Sequence, residues 1–253
     1  MDNKVTTRLG SQDLVSIARQ KYETKQRNKI PSVIVKLASG GKIYPENHPL
    51  HSGQIEMRYM TAYDEDILTN ASYIREGVVF DKLLQSIIVT EVDVNDICSV
   101  DKDGLILSAR VMAYGPEYTV QIPDPKTKNM LERTINLTEV QFKPFELSPN
   151  ANGEFTYQVN AETTIKFAYP KTEITQETVS ETINNLIMEV NGIRDRAAIE
   201  NFVRYEFFAR DAKKFREYVK TNAPGIDYEM NFEGEDGSTF KAMFPIGIDL
   251  FWF

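Results

Sequence analysis

Two residue types that build catalytic and metal centres are nearly missing from this chain of 253 residues. Cys98 is its only cysteine, which excludes an internal disulfide and any zinc site made from several thiolates. His48 and His51 are its only histidines. They lie in the segment His48-Pro-Leu-His51, whose proline disfavours the helical i,i+4 ligand geometry of zinc proteases. A Cys–His dyad would have to be built across the fold, and Cys98, within the apolar run Ile97 to Val100, reads as a small buried thiol instead.

Other absences remove further classes. No stretch approaches the ~20 consecutive apolar residues of a membrane span, and the polar start Met-Asp-Asn-Lys is not that of a signal peptide, so synthesis in the cytosol is expected. There is no Walker loop, no Gly-x-Gly-x-x-Gly after a strand and no Gly-x-Ser-x-Gly elbow. An enzyme would need a carboxylate pair brought together from distant segments. The expectation is therefore no catalytic residue, no metal, no cofactor and no small-molecule substrate.

What is present is the make-up of a folded protein: 42% hydrophobic, 11% aromatic and 26% charged residues. The length suffices for one large domain or two small ones. Charge is uneven. Through Ile30 there are seven basic residues (Lys4, Arg8, Arg19, Lys21, Lys25, Arg27, Lys29) against three acids (Asp2, Asp13, Glu23), a balance of +4 in a chain of −8, so the remainder carries −12. Such an arm suits an acidic neighbouring subunit, nucleic acid or its own body. Nucleic acid is the weakest of these, because the acidic body repels a polyanion and Tyr22 is the arm's only aromatic. Leu14, Ile17, Ala18 and Tyr22 fall at helical spacing after Ser11, which predicts a helix stable only when docked.

Beyond the arm the pattern is mixed. Strands are expected at Val33 to Leu37 and at Ile55 to Met60, the second with Ile55, Met57 and Tyr59 inward and Glu56 and Arg58 outward. Thr61 and Asp64 take capping-box positions ahead of a helix over Asp64 to Ser72. Asp64, Glu65 and Asp66 then oppose the positive end of that helix, with ligation of a hard cation as the competing reading. A helix over Phe80 to Val89 places Leu83, Leu84, Ile87 and Ile88 inward.

Asp101-Lys-Asp-Gly104 imitates a calcium loop, but aligning Gly104 with the turn glycine puts Ser99 first and Arg110 where the bidentate glutamate belongs. A helix from Asp101 or Asp103, with Leu105, Ile106, Ala109 and Met112 inward and Gly115 ending it, is expected instead. Tyr118 to Ile122 and Leu131 to Leu137 form one predicted hairpin; Ile226 to Phe232 and Thr239 to Phe244 form another. In the second turn Glu233, Glu235 and Asp236 read as a solvated Gly-rich loop rather than a cation site.

The polar connection Lys143 to Gly153 marks a boundary. After it, Phe155, Tyr157 and Val159 alternate, as do Ile165, Phe167 and Tyr169, giving a strand pair. Thr175 and Thr178 mark a helix start, with the stripe Val179, Ile183, Leu186, Ile187 and Val190 running to Gly192. Ile199, Phe202, Val203 and Phe207 predict another helix, and Phe215, Tyr218 and Val219 a third. The expected fold is α+β, helices with short antiparallel sheets and hairpins. It comprises an arm over residues 1–30 and two associated lobes over 31–147 and 148–253. Each lobe's order, helices followed by a hairpin, suggests an internal duplication. Near the end, Phe251, Trp252 and Phe253 form either a core plug or an aromatic anchor for a neighbour. Together with Arg8, Leu14, Ile17, Arg19 and Tyr22 they are the candidate partner-binding residues.

Gly41-Lys-Ile-Tyr-Pro45, followed by the strand-cap-helix unit Gln54 to Asn70 with its Met-Thr-Ala, acidic triplet and Ile-Leu-Thr, resembles the baseplate hub family of T-even-like contractile-tailed bacteriophages. Arg110, Tyr114, Gly115 and Tyr118 match a further element, and Pro245, Ile246, Leu250, Phe251 and Trp252 match the terminal one, from which Phe253 departs. The resemblance runs from about Ser39 to the last residue. It implies a non-enzymatic structural subunit of the hub, or else an assembly factor that leaves, with hub, wedge or tube proteins as partners. The place would be the host cytoplasm during assembly and the virion baseplate if structural. A hydrolase of the tail is the distant alternative and would need a carboxylate dyad. The resemblance also implies Cys-Pro-x-Cys knuckles in the hairpins. Ile122-Pro123-Asp124-Pro125 keeps the proline and lacks both thiols, so turn chemistry, packing or subunit contacts must replace the ~10 kcal/mol or more that structural zinc supplies.

Overall fold

The computed structural model describes residues 30–171, 178–244 and 247–252. The expected partner residues Arg8, Leu14, Ile17, Arg19, Tyr22 and Phe253 lie outside these. β1 (Ser32–Lys36) pairs antiparallel with β2 (Gln54–Arg58), setting Val33 opposite Met57 and Val35 opposite Ile55. Ile55 and Met57 are buried, as a period of two requires. The alternation then breaks: Arg58 is buried and Tyr59 is 39% exposed, the reverse of expectation, because a carboxylate on the next helix draws the guanidinium inward. Between the two strands Gly41 has φ +81°, and a Cβ there would sit 2.4 Å from the His51 carbonyl oxygen, so the Gly41 to Pro45 element needs its glycine.

The single helix expected over Asp64 to Ser72 is two, α1 (Ala62–Leu68) and α2 (Ala71–Glu76). Asn70 divides them, its side-chain oxygen accepting from the N–H groups of Ser72 and Tyr73 and so capping a new helix. α3 (Val79–Ile87) buries Leu83, Leu84 and Ile87 as predicted. α4 (Ser99–Tyr114) starts slightly earlier than predicted, buries Leu105, Ile106 and Ala109, and stops at Gly115, whose φ is +85°. Met112 is only partly buried.

Both hairpins form. β3 (Glu117–Pro123) faces β4 (Met130–Asn136), and β8 (Glu229–Glu233) faces β9 (Thr239–Met243). β5 (Phe155–Gln158) and β6 (Thr164–Phe167) pair as expected, with β7 (Ile187–Val190) added on the far side of β6. That third strand corrects the predicted helical stripe: α5 (Val179–Leu186) ends at Leu186, and the next four residues complete the sheet instead of another helical turn. Val179 is 52% exposed and takes no part in the stripe's burial. α5 opens with the capping box of Thr178 and Glu181, while Thr175 lies outside the described residues.

α6 (Arg196–Tyr205) and α7 (Ala209–Thr221) follow, burying Ile199, Phe202, Val203, Phe215 and Val219. Phe155, Phe167, Tyr169 and Phe215 form the aromatic centre of this half, which Phe145 of the connecting segment joins edge-on against Phe155 and Tyr169. Buried apolar residues from Leu37 to Phe251 make one continuous cluster. The architecture is α+β; each half opens with paired strands and closes with a hairpin, with helices between, and in the second half β7 is inserted between α5 and α6.

Candidate interaction site

The C-terminal aromatic segment is divided between interior and surface. A 3-10 turn over Ile248–Phe251 buries Leu250 and Phe251 completely, the Phe251 ring lying 6.2 Å from that of Phe80 and 6.3 Å, edge-on, from that of Tyr114. Trp252, one residue on, is 40% exposed. Phe251 is therefore a core plug, and among the described residues of the expected anchor Trp252 reaches the surface.

Arg110 fastens this turn. Its Nε donates to the Leu250 carbonyl at 2.6 Å, its Nη1 to that of Gly115 at 2.7 Å and its Nη2 to that of Glu117 at 3.0 Å. The guanidinium also packs over the rings of Tyr114 and Tyr118. Burial lowers its pKa, but an arginine stays charged across any ordinary pH. The planar fork thus joins α4, the start of β3 and the C-terminal turn, a role invisible in a sequence where Arg110 stands as one cation on a helix. Tyr114, pushed up to about 12 by burial and by its bond to Glu65, donates to that carboxylate at 2.8 Å.

The hairpin tips form a second joint. Asp124 is 2% exposed; its carboxylate accepts from the N–H groups of Lys126 at 2.7 Å and Thr127 at 3.1 Å in its own turn, and from Glu235 at 3.0 Å in the other hairpin. These three backbone donors, that of Glu235 foremost, hold its pKa below the usual carboxylate range. Lys126 Nζ reaches Asp236 at 2.6 Å, Asn129 donates to Glu235, and Arg133 donates twice to the Glu233 carbonyl. A Cβ on Gly234 would lie 2.9 Å from the Asp124 carboxylate, so the approach is close. The turn read as solvated is thus engaged by the opposite hairpin. Asp124, between the prolines of the thiol-free knuckle, ties the tips through hydrogen bonds.

Asp64 and Asp101, both fully buried, stand among the most enclosed polar groups. Asp64 receives Arg58 in a two-point contact at 2.8 Å and 2.8 Å, the Ser86 hydroxyl at 2.6 Å, and the N–H and hydroxyl of Thr61. Burial opposes its ionisation, and these donors overcome that cost, so its pKa falls below the ordinary value. The expected cap is present, and the carboxylate is at the same time the anchor for Arg58. Asp101 receives the N–H and hydroxyl of Ser39 and the hydroxyl of Tyr44, each at 2.8 Å. With neutral donors alone, burial raises its pKa. Burial likewise pushes the Cys98 thiol up to about 12, which makes it unreactive. His48 stacks on Tyr44 at 4.9 Å, and His51 Nδ1 lies 3.1 Å from the Tyr44 carbonyl oxygen.

Among the described residues, no group of three or more His, Cys, Asp or Glu side chains is placed to hold a metal ion, and no helix is long and apolar enough to cross a membrane. The buried carboxylates face inward and are committed to hydrogen bonds that hold segments of the chain together.

Comparison with curated proteins found no match, and comparison with solved structures found none. A family model described as T4 bacteriophage base plate protein matches residues 30–238, a span that contains the Arg58–Asp64 pair, the Asp101 pocket and Asp124. The chain belongs to the T4-like phage baseplate protein family.

Proposed function

We propose that this protein is a non-catalytic structural subunit of the tail baseplate hub, assembled in the host cytoplasm and resident in the virion baseplate of a contractile tail. Its partners are other hub, wedge or tube proteins. Family membership carries this reading. The inward commitment of Asp64, Asp101 and Arg110 supports it, since a scaffold spends its polar groups on holding its own shape. The arm over residues 1–30 and the lobes over 31–147 and 148–253 are the proposed units. The proposed contacts are Trp252 and Phe253 at one end and Arg8, Leu14, Ile17, Arg19 and Tyr22 at the other.

A quantitative protein inventory of purified particles tests the reading. A fixed stoichiometric amount is expected; absence from mature particles would overturn residence and assign the protein to assembly alone. Trp252→Ala tests the terminal contact separately, because Trp252 is half out of the core whereas Phe251 is entirely within it. Normal thermal stability with reduced incorporation is the expected pair of results.

A further inference from the structure

The corner between α6 and α7 holds three aromatic residues, one inside and two outside. Phe207 is buried and stacks on Phe202 at 5.1 Å, with the Phe215 ring 6.0 Å away. Tyr205 and Phe208 on either side are 70% and 73% exposed. The backbone that carries them is fixed from both directions. The N–H groups of Glu206 and Phe207 donate to the Phe202 carbonyl, and those of Asp211 and Ala212 to the Phe208 carbonyl, all at 2.9 Å. Two large rings are therefore held in water on a rigid turn, forgoing the burial that drives such side chains inward. Pre-organised aromatic rings of this kind bind without a cost of ordering the backbone.

The surroundings identify what fits them. From Arg196 to Thr221 the chain carries seven Lys and Arg against four Asp and Glu, a local balance of +3 in a protein of −8. Arg204 lies 5.9 Å from the Tyr205 ring centroid and has no carboxylate in ion-pair range among the described residues. Arg210 is 81% exposed and meets Asp211 only at 3.5 Å. Aromatic rings flanked by arginines are the composition of interface hot spots.

We propose that this corner, Tyr205 and Phe208 flanked by Arg204 and Arg210, is a docking surface for an acidic protein partner that offers an apolar recess to the two rings. A second copy fits poorly, since a two-fold contact centred here sets the arginines of both copies against each other. Nucleic acid also fits poorly, because Glu206 and Asp211 stand among the cations and would face a continuous phosphate backbone. The inference goes beyond hub residence, because it holds whether the protein stays in the particle or leaves it.

The test places a photo-crosslinking phenylalanine analogue at Phe208 of the full-length chain during infection and identifies the adduct by mass spectrometry. One acidic phage protein is expected. The complex re-formed from the two purified proteins should weaken about tenfold or more with Arg204→Glu/Arg210→Glu, and similarly with Tyr205→Ser/Phe208→Ser. Both variants should unfold at the wild-type temperature; if the aromatic variant does not, the charge reversal still reads the surface. An adduct with a second copy, a basic protein or nucleic acid, no adduct at all, or binding indifferent to charge reversal would overturn the proposal. An acidic adduct from a protein absent from mature particles would support the docking surface as well, while residence is decided separately by the particle inventory.

Discussion

Asp64 and Asp101 are both completely buried, yet one faces a guanidinium and the other only hydroxyl and N–H donors. The contrast is of sign. Arg58 makes ionised Asp64 the favoured form in the folded state, whereas the pocket around Asp101 favours its proton. A buried carboxylate is thus no single thing: enclosure sets the cost of charge, and the identity of the donors decides whether that cost is met.

The largest expected effect comes from breaking the pair. Asp64→Asn should cost about 3–5 kcal/mol in urea denaturation, because it leaves Arg58 buried without a counter-charge. Arg58→Met/Asp64→Leu should recover most of that loss, since removing both charges also removes the need to desolvate them. A double variant as unstable as the single one would mean that the lost bonds to Thr61 and Ser86, rather than the orphaned cation, set the cost.

Asp101→Asn should cost less, about 1–3 kcal/mol, because no opposite charge is stranded and only some hydrogen bonds are lost. The two variants should respond oppositely to pH. The Asp64 contribution is present above the unfolded value near 3.8 and is lost as pH falls through its lower folded value, so the penalty of Asp64→Asn shrinks in acid. Asp101 has a raised folded value, so the wild type loses stability as pH climbs from 3.8 toward it, and the penalty of Asp101→Asn shrinks on the alkaline side. Parallel profiles from denaturant titrations across that range would remove the distinction. Smallest of all, Ser39→Ala or Tyr44→Phe should each cost about 1–2 kcal/mol, because each hydroxyl donates to Asp101 and also accepts from a buried backbone N–H, that of Gly41 or of Cys98. The Cys98 thiol, with its pKa near 12, reports each unfolding event by becoming reactive to a thiol reagent only as the core opens.

Much of this fold is legible in the residues because the signals are local. The turns after Ile122 and Glu233 announce the hairpins, and the caps at Thr61 and Thr178 announce helix starts. The division at Asn70 was legible in principle, since an Asn before a helical stretch is itself a cap. β7 was not, because Ile187 and Val190 continue the helical spacing of Ile183, and only pairing with β6 selects a strand. The candidate site fared similarly. A period of two put Arg58 outward, and nothing in the strand names a partner six residues on. Helical periodicity separates Phe202 and Phe215 from water but is silent about Tyr205 and Phe208, which lie at a corner where the period ends. The loss of thiols around Pro123 was plain; Asp124's place between the tips was not, because its partner is in the other hairpin.

That partnership has a kinetic side. The bond from Glu235 to Asp124 closes a span of 111 residues, and a contact between such distant positions is reached only after a large search by the chain. Each hairpin, by contrast, zips from its own turn. Native-state hydrogen exchange should therefore find the Glu235 amide opening in a cheaper, separate event than the amides paired within β3–β4, and the tips should come together late in refolding. Such a joint can yield and re-form while both hairpins stay intact.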